Sequence, residues 1–202
     1  MIICLTYNSE NAKAAESLLD FVFFLHNKKK APAIVLVGAH DCHEEYRTKI
    51  KLAAEVAFLD VDMILADPAN VFNAAVERLD SCKDHWIYLD PYCVPLTPRW
   101  MGAIEDHYIA QPKKIMGPFL KDDKGTWLDR HSVYPAELFR IQRDDLTPFA
   151  TKTRIIQVGK YNGRADMRDK SKDDPAYLFC GDKSGELIKT LREEIKLYGK
   201  KG

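Results

Sequence analysis

The sequence predicts an α/β domain built on a mainly parallel, Rossmann-like sheet with helices on both faces. Short apolar runs alternate with amphipathic helical patterns through the first half of the chain, which is how successive β-α units read. The 202 residues suit one domain with a substantial core. A hydrophobic content of 46% beside 30% charged residues is that of an ordinary globular protein.

Each element has its own signal. Ile2–Thr6 reads as a strand. Asn8 or Ser9 can cap a helix in which Ala12, Ala15, Leu18, Leu19 and Val22 recur at helical spacing. Ala33–Val37 reads as a second strand, stopped by Gly38. Glu44 to about Phe58 is a charged amphipathic helix, and Val61–Leu65 a third strand. After an Asp67-Pro68 turn, Val71, Ala74, Ala75 and Leu79 mark another helix. Trp86–Leu89 is the fourth strand, followed by a proline-rich loop and a helix from about Pro98. Beyond Gln111 the expected elements are a strand within Ile115–Leu120, a turn at Asp122–Gly125, a return strand at Thr126–Leu128 and a strand at Ile155–Val158. Tyr161–Pro175 reads as a polar loop. Ser184–Tyr198 reads as a helix with Leu187, Ile188, Leu191 and Ile195 on one face.

Thirty basic residues balance thirty acidic ones, so no global charge demands a polyanionic partner. Five scattered cysteines without a CxxC favour free thiols and a reducing compartment over a disulfide framework. The N-terminus lacks the basic segment of a signal peptide, and no run has the length of a membrane span. A cytoplasmic location is the expectation.

Residues 86–102 carry the sharpest functional signal. The apolar run Trp86–Leu89 ends in Asp90, and the C-terminal ends of parallel strands are where open α/β sheets bind ligands. The loop continues Pro91-Tyr92-Cys93-Val94-Pro95-Leu96-Thr97-Pro98-Arg99-Trp100. Three further segments stand in order around it: Asp67-Pro68-Ala69-Asn70-Val71-Phe72, His131-Ser132-Val133-Tyr134-Pro135, and Phe179-Cys180-Gly181-Asp182-Lys183-Ser184-Gly185-Glu186-Leu187-Ile188. Together these resemble GT-A-type glycosyltransferases, in particular small family-2-like members from phages and bacteria. Their donor loop has an acidic-x-acidic pair before Val/Ala-Pro-Leu-x-Pro-x-Trp. The sequence departs from that pattern twice: Tyr92 stands at the second acid, and Cys180 at a C-terminal histidine.

The resemblance implies a single GT-A-like domain over 1–202, with a nucleotide-sugar-binding half at 1–110 and an acceptor half with a C-terminal helix at 111–202. It implies a nucleotide-sugar donor, UDP-sugar favoured, and a hydroxyl acceptor. Phage relatives suggest a hydroxymethylated pyrimidine in DNA, which would be flipped out of a duplex to react. In that family Mg²⁺ or Mn²⁺, held by the acidic pair and often a histidine, stabilises the leaving diphosphate. Here Asp90 is the remaining conventional metal ligand, because phenols and thiols are mostly protonated at neutral pH and suit Mg²⁺ poorly. Three accounts follow: metal-free catalysis using basic side chains such as Lys183, weak metal binding through Asp90 and the donor, or a nucleotide-sized pocket without catalysis.

Every candidate also has a plainer reading. Asp90 would bind the donor or a metal, or simply form the turn before Pro91. Tyr92 and Trp100 could stack on the donor or fill the core. Asn70 would contact the donor or cap a helix. His131 would contact acceptor or phosphate, or be structural. Lys183 would meet a phosphate at the N-terminus of the last helix. The base of an inverting transfer would be a carboxylate, with Asp122, Asp123 and Asp129 as alternatives. His40-Asp41-Cys42-His43 superficially resembles a metal cluster, but four consecutive residues cannot all point at one ion. Lys28-Lys29-Lys30 reads as a basic helix end. Among Lys152, Arg154, Lys160, Arg164, Arg168, Lys170 and Lys172, the central Lys160, Arg164 and Arg168 are the residues for a nucleic-acid acceptor; the plainer reading is a solvated loop.

Two rival functions remain. One is a catalytically inactive GT-A-like module that binds a nucleotide or a protein. The other is a nucleotidyltransferase, which Thr6–Asn11 argues against because the turn after the first strand has no glycine to cradle phosphates. The sequence leaves the oligomeric state open.

Overall fold

The computed structural model describes residues 1–25, 33–96, 98–109, 115–117, 119–122, 125–128, 131–136, 155–157, 178–180 and 186–198. Its main sheet contains β1 (Ile2–Tyr7), β2 (Ala33–Ala39), β3 (Asp60–Ala66), β4 (Trp86–Leu89) and β8 (Val133–Tyr134), in the order β3-β2-β1-β4-β8. The first four are parallel, and β8 runs antiparallel along β4. The helices α1 (Ala12–Leu25), α2 (Glu44–Ala57), α3 (Val71–Asp80) and α4 (Trp100–Ile109) follow β1, β2, β3 and the β4 loop.

Side-chain alternation explains the layers. On β1, Ile3, Leu5 and Tyr7 project to one face, where they join Leu18 of α1, Ile50 of α2 and Trp100 of α4. Cys4 projects to the other, with Val35 and Val37 of β2, Trp86 and Tyr88 of β4, and Ala75, Val76 and Leu79 of α3. Strands covered on both faces read as unbroken apolar runs, which is why Ile2–Tyr7 and Trp86–Leu89 look as they do. The chain steps outward from β1 to β3, then returns to place β4 on the other side of β1. Crossovers of constant hand put α1 and α2 on one face and α3 on the opposite one. The reversal leaves a crevice between the C-terminal ends of β1 and β4.

A smaller sheet has the order β5 (Val94–Pro95), β10 (Leu178–Cys180), β9 (Ile155–Gln157). β6 (Phe119–Asp122) and β7 (Gly125–Leu128) form a hairpin. The last helix, α5 (Glu186–Tyr198), packs Ile188 and Leu191 against Phe21 and Leu25 of α1 and Val94 of β5.

Three local readings are corrected. β2 does not stop at Gly38: the strand runs on to Ala39, and a Cβ at position 38 would lie 2.7 Å from the Tyr7 hydroxyl. The glycine makes room for a neighbouring ring instead of ending the strand. α1 begins after Asn11, not Asn8 or Ser9, because Asn8 and Asn11 close a turn by reciprocal bonds. Asn11 Oδ1 accepts from the Asn8 amide at 2.8 Å, and Asn8 Oδ1 from the Asn11 amide at 3.1 Å. The Ile115–Leu120 run is split, with Met116 forming an isolated bridge to Val133 and β6 starting at Phe119.

Candidate functional site

A cavity of about 260 Å³ occupies the crevice at the ends of β1 and β4, lined by Thr6, Tyr7, Asn8, Glu10, Asn11, Pro68, Val71, Tyr88, Asp90 and Tyr92. The strands supply its floor. Thr6 and Tyr88 are bridged by a buried 2.8 Å hydrogen bond between their hydroxyls, which ties β1 to β4 where the sheet splits. The Asn8–Asn11 turn forms one wall. The start of α3 forms another, with Asp67 Oδ1 accepting from the Ala69 amide at 2.8 Å. Behind Tyr88, Phe72 packs edge-on with ring centroids 5.1 Å apart. Burial pushes the Tyr7 hydroxyl well above its ordinary pKa, with nearby Cys42 adding to the shift, so Tyr7 enters as a neutral phenol.

Asp90 forms the turn of its plainer reading and also meets a partner that its sequence context does not announce. Oδ1 accepts from the Tyr92 amide at 2.8 Å, forming the Asx turn that reverses the chain after β4. Oδ2 lies 2.9 Å from Nε2 of His131. His131 is 6% exposed and sits just ahead of β8. The Tyr88 amide donating to the Ser132 carbonyl at 3.1 Å holds this segment along β4. Gly117 makes the approach possible, because a Cβ there would collide with the Ser132 side chain. Cys93 is fully buried, and its Sγ lies 3.8 Å from Asp90 Oδ1. The ligand atoms of Asp90, Cys93 and His131 all lie within 4.8 Å of one another.

Sequence reasoning missed Cys93 and the Asp90–His131 pairing. Residues 41 apart gave no local signal, and β8 is too short to stand out by its pattern. It also passed over Arg192. That side chain is 7% exposed and donates through Nη1 to Ser17 Oγ at 2.8 Å. Nη2 donates to the carbonyls of Pro91 and Cys93 at 3.4 and 3.3 Å, while among the described residues Nε has no hydrogen-bond partner. Burial pushes its pKa down to about 10, which leaves it charged at neutral pH. Around it a second cavity of about 410 Å³ opens between α1 and α5, and Tyr92 lines both cavities.

The other candidates divide cleanly. Tyr92 is at the site, whereas Trp100 is fully buried in the core beside α1 and α2. Asn70 occupies the N-cap position of α3 but is exposed and makes no side-chain cap. Asp122 ends β6. Asp123, Asp129, Lys183, Lys160, Arg164 and Arg168 lie outside the described residues, as do Lys28–Lys30 and the polar 161–175 segment. In the His40–His43 run, Asp41 accepts from Ser9 Oγ at 2.8 Å and Cys42 is buried, so these side chains do not converge on one ion.

A hard divalent cation in this cavity would need a set of oxygen ligands. Asp90 is the one carboxylate supplied by the β4 loop, and both of its oxygens already face protein groups. Among the described residues, Glu10 is the one other carboxylate lining the cavity, so the β4 loop presents no acidic pair to Mg²⁺ or Mn²⁺.

No protein-family model matches the chain, and no curated protein matches it. Solved structures do. The galactosyltransferase LgtC, in complex with donor and acceptor sugar analogs, superposes with a TM-score of 0.60 at 12% identity over 96% of each chain. The glycosyltransferase GlyE of Streptococcus pneumoniae TIGR4 gives 0.56 at 11% identity, over 97% of this chain and 60% of that one. The bifunctional glycosyltransferase WbbM gives 0.54 at 10%, over 90% and 46%. Among the described residues no helix is long and apolar enough to cross a membrane. The chain has the mainly parallel, Rossmann-like fold of GT-A-type glycosyltransferases.

Proposed function

We propose that the protein is a glycosyltransferase that takes a nucleotide sugar, UDP-sugar by preference, into the β1/β4 cavity and transfers the sugar to a hydroxyl acceptor. The observation that carries this is the position of the cavity. It lies at the point where strand order reverses, with Asp90 and Tyr92 at its edge and asparagine side chains on its wall. Thr6, Asn8 and Asn11 offer polar groups to a base and ribose, and Tyr92 offers a ring face. One of Asp122, Asp123 and Asp129 would take the acceptor hydroxyl proton as the bond from sugar to diphosphate breaks, and Lys183 would neutralise the departing diphosphate. Residues 1–110 form the donor half in this reading, and 111–202 the acceptor half. A hydroxymethylated pyrimidine in DNA is the proposed acceptor, met by Lys160, Arg164 and Arg168.

One observation favours the second reading, an inactive binding module: the carboxylate of Asp90 is engaged by Tyr92 and His131. Release of UDP from UDP-glucose and UDP-galactose separates the two. Slow hydrolysis without acceptor, stimulated by hydroxymethylated DNA, is the result for the transferase. Nucleotide binding with no turnover under any condition would leave the binding module.

A further inference from the structure

We propose that Asp90, Cys93 and His131 form a site for a borderline transition-metal cation of the Zn²⁺ class, in place of a hard oxygen-bound cation. This site needs no nucleotide, so it stands apart from the transferase reading.

Three ligand types converge there from two elements. Asp90 and Cys93 belong to one turn, closed by the Cys93 amide donating to the Asp90 carbonyl at 3.2 Å. His131 arrives from the segment just ahead of β8, the strand paired with β4. Zinc bonds of about 2.0–2.3 Å in a tetrahedral site place ligand atoms about 3.3–3.8 Å apart. Asp90 Oδ1 and Cys93 Sγ are 3.8 Å apart, which fits. Asp90 Oδ2 and His131 Nε2, at 2.9 Å, would open by roughly half an ångström as the cation replaces their hydrogen bond.

The donor set also selects the metal. A thiolate, an imidazole and a carboxylate suit Zn²⁺ or Co²⁺, whereas Mg²⁺ prefers oxygen ligands and its own water. Cys93 is fully buried and His131 nearly so, and Asp90 lines the cavity. The cation therefore enters from the Asp90 side, and the thiol and imidazole release protons as it binds. The Arg192 guanidinium beside the Cys93 carbonyl places positive charge where a thiolate forms, which favours that thiolate.

The test is titration of the chelator-treated full chain with Co²⁺, read by near-ultraviolet thiolate charge-transfer absorption and visible d–d bands, followed by Zn²⁺ and Mg²⁺ competition. The expected result is saturable uptake with a thiolate band, displaced by Zn²⁺ and not by Mg²⁺. Cys93→Ser abolishes the band, His131→Gln weakens binding by at least about tenfold, and Cys82→Ser changes neither. Far-ultraviolet circular dichroism establishes that each variant is folded, and the wild-type titration is decisive without them. No thiolate band in the wild type, a band that survives in folded Cys93→Ser, or displacement by Mg²⁺ would overturn the proposal. A chain that binds UDP but no Zn²⁺-class cation loses this site and keeps the transferase reading. The reverse pattern does the opposite.

Discussion

Arg192 of α5 donates through Nη2 to the carbonyl oxygen of Cys93 at 3.3 Å, so a buried guanidinium on the last helix holds the turn that follows β4. The same group reaches Ser17 on α1 and the carbonyl of Pro91, so one side chain joins three segments. A buried charge costs desolvation that its hydrogen bonds only offset.

Binding and stability should therefore separate at this residue. Arg192→Met is expected to change unfolding free energy by no more than about 1 kcal/mol, because removing the buried charge relieves a desolvation cost that offsets the lost hydrogen bonds. Nucleotide affinity should fall about tenfold as the Asp90 turn loosens, which is about 1.4 kcal/mol. Denaturant unfolding and calorimetric titration of the same preparation check both.

The two oxygens of Asp90 predict a graded series. Asn at this position keeps an oxygen for the Tyr92 amide but loses the negative charge facing His131, whereas Ala loses both. Asp90→Asn should retain part of the nucleotide affinity, and Asp90→Ala should lose it. Equal losses in the two variants would show that the turn contributes nothing separable from the charge.

Gly38 and Tyr7 should behave as a coupled pair. A Cβ at position 38 meets the Tyr7 hydroxyl at 2.7 Å and its ring carbon at 2.9 Å, and Tyr7 is too buried to swing away. Gly38→Ala is expected to cost about 1–3 kcal/mol. Adding Tyr7→Phe should restore part of that, measured as a double-mutant cycle. Because Tyr7 lines the cavity, the single variant should also weaken nucleotide binding.

His85 sets a pH dependence. Burial lowers its pKa below the ordinary value, helped by the chain's terminal ammonium, although Glu105 lies 3.1 Å from Nε2. A base with a depressed folded pKa binds protons more readily when unfolded. The associated stability is present above the unfolded value of about 6.5 and is lost as pH falls through that value towards the folded pKa. Thermal unfolding of wild type and His85→Gln between about pH 5 and 8 should show a shallower acid loss in the variant.

The parts of the fold legible in sequence were those dominated by local pattern. Trp86–Leu89 is buried along its whole length and reads as a strand because it is unbroken apolar sequence ending in Asp90. α2 is visible because its charged and apolar residues alternate at helical spacing over Glu44–Ala57. The two-residue strands at Val94–Pro95 and Val133–Tyr134 are defined by their partners, so no periodicity announces them. Gly38 looks like a stop in the sequence because its reason for being small, the Tyr7 ring from another strand, is non-local. The site divides in the same way. Asp90 is marked by its place after an apolar run, and Tyr92 by the motif around it. His131 and Arg192 become partners of the turn that holds Asp90 and Cys93 only through the packing of β8 and α5 against β4 and its loop.

The most direct test of the central claim is calorimetric titration of UDP into wild type, Asp90→Ala and Tyr92→Ala, repeated with Mn²⁺. The account predicts saturable binding to wild type, weakened about tenfold or more in each variant, with little change on adding Mn²⁺. The absence of UDP binding to wild type under both conditions, or affinity unchanged in Asp90→Ala, would contradict a donor site between β1 and β4.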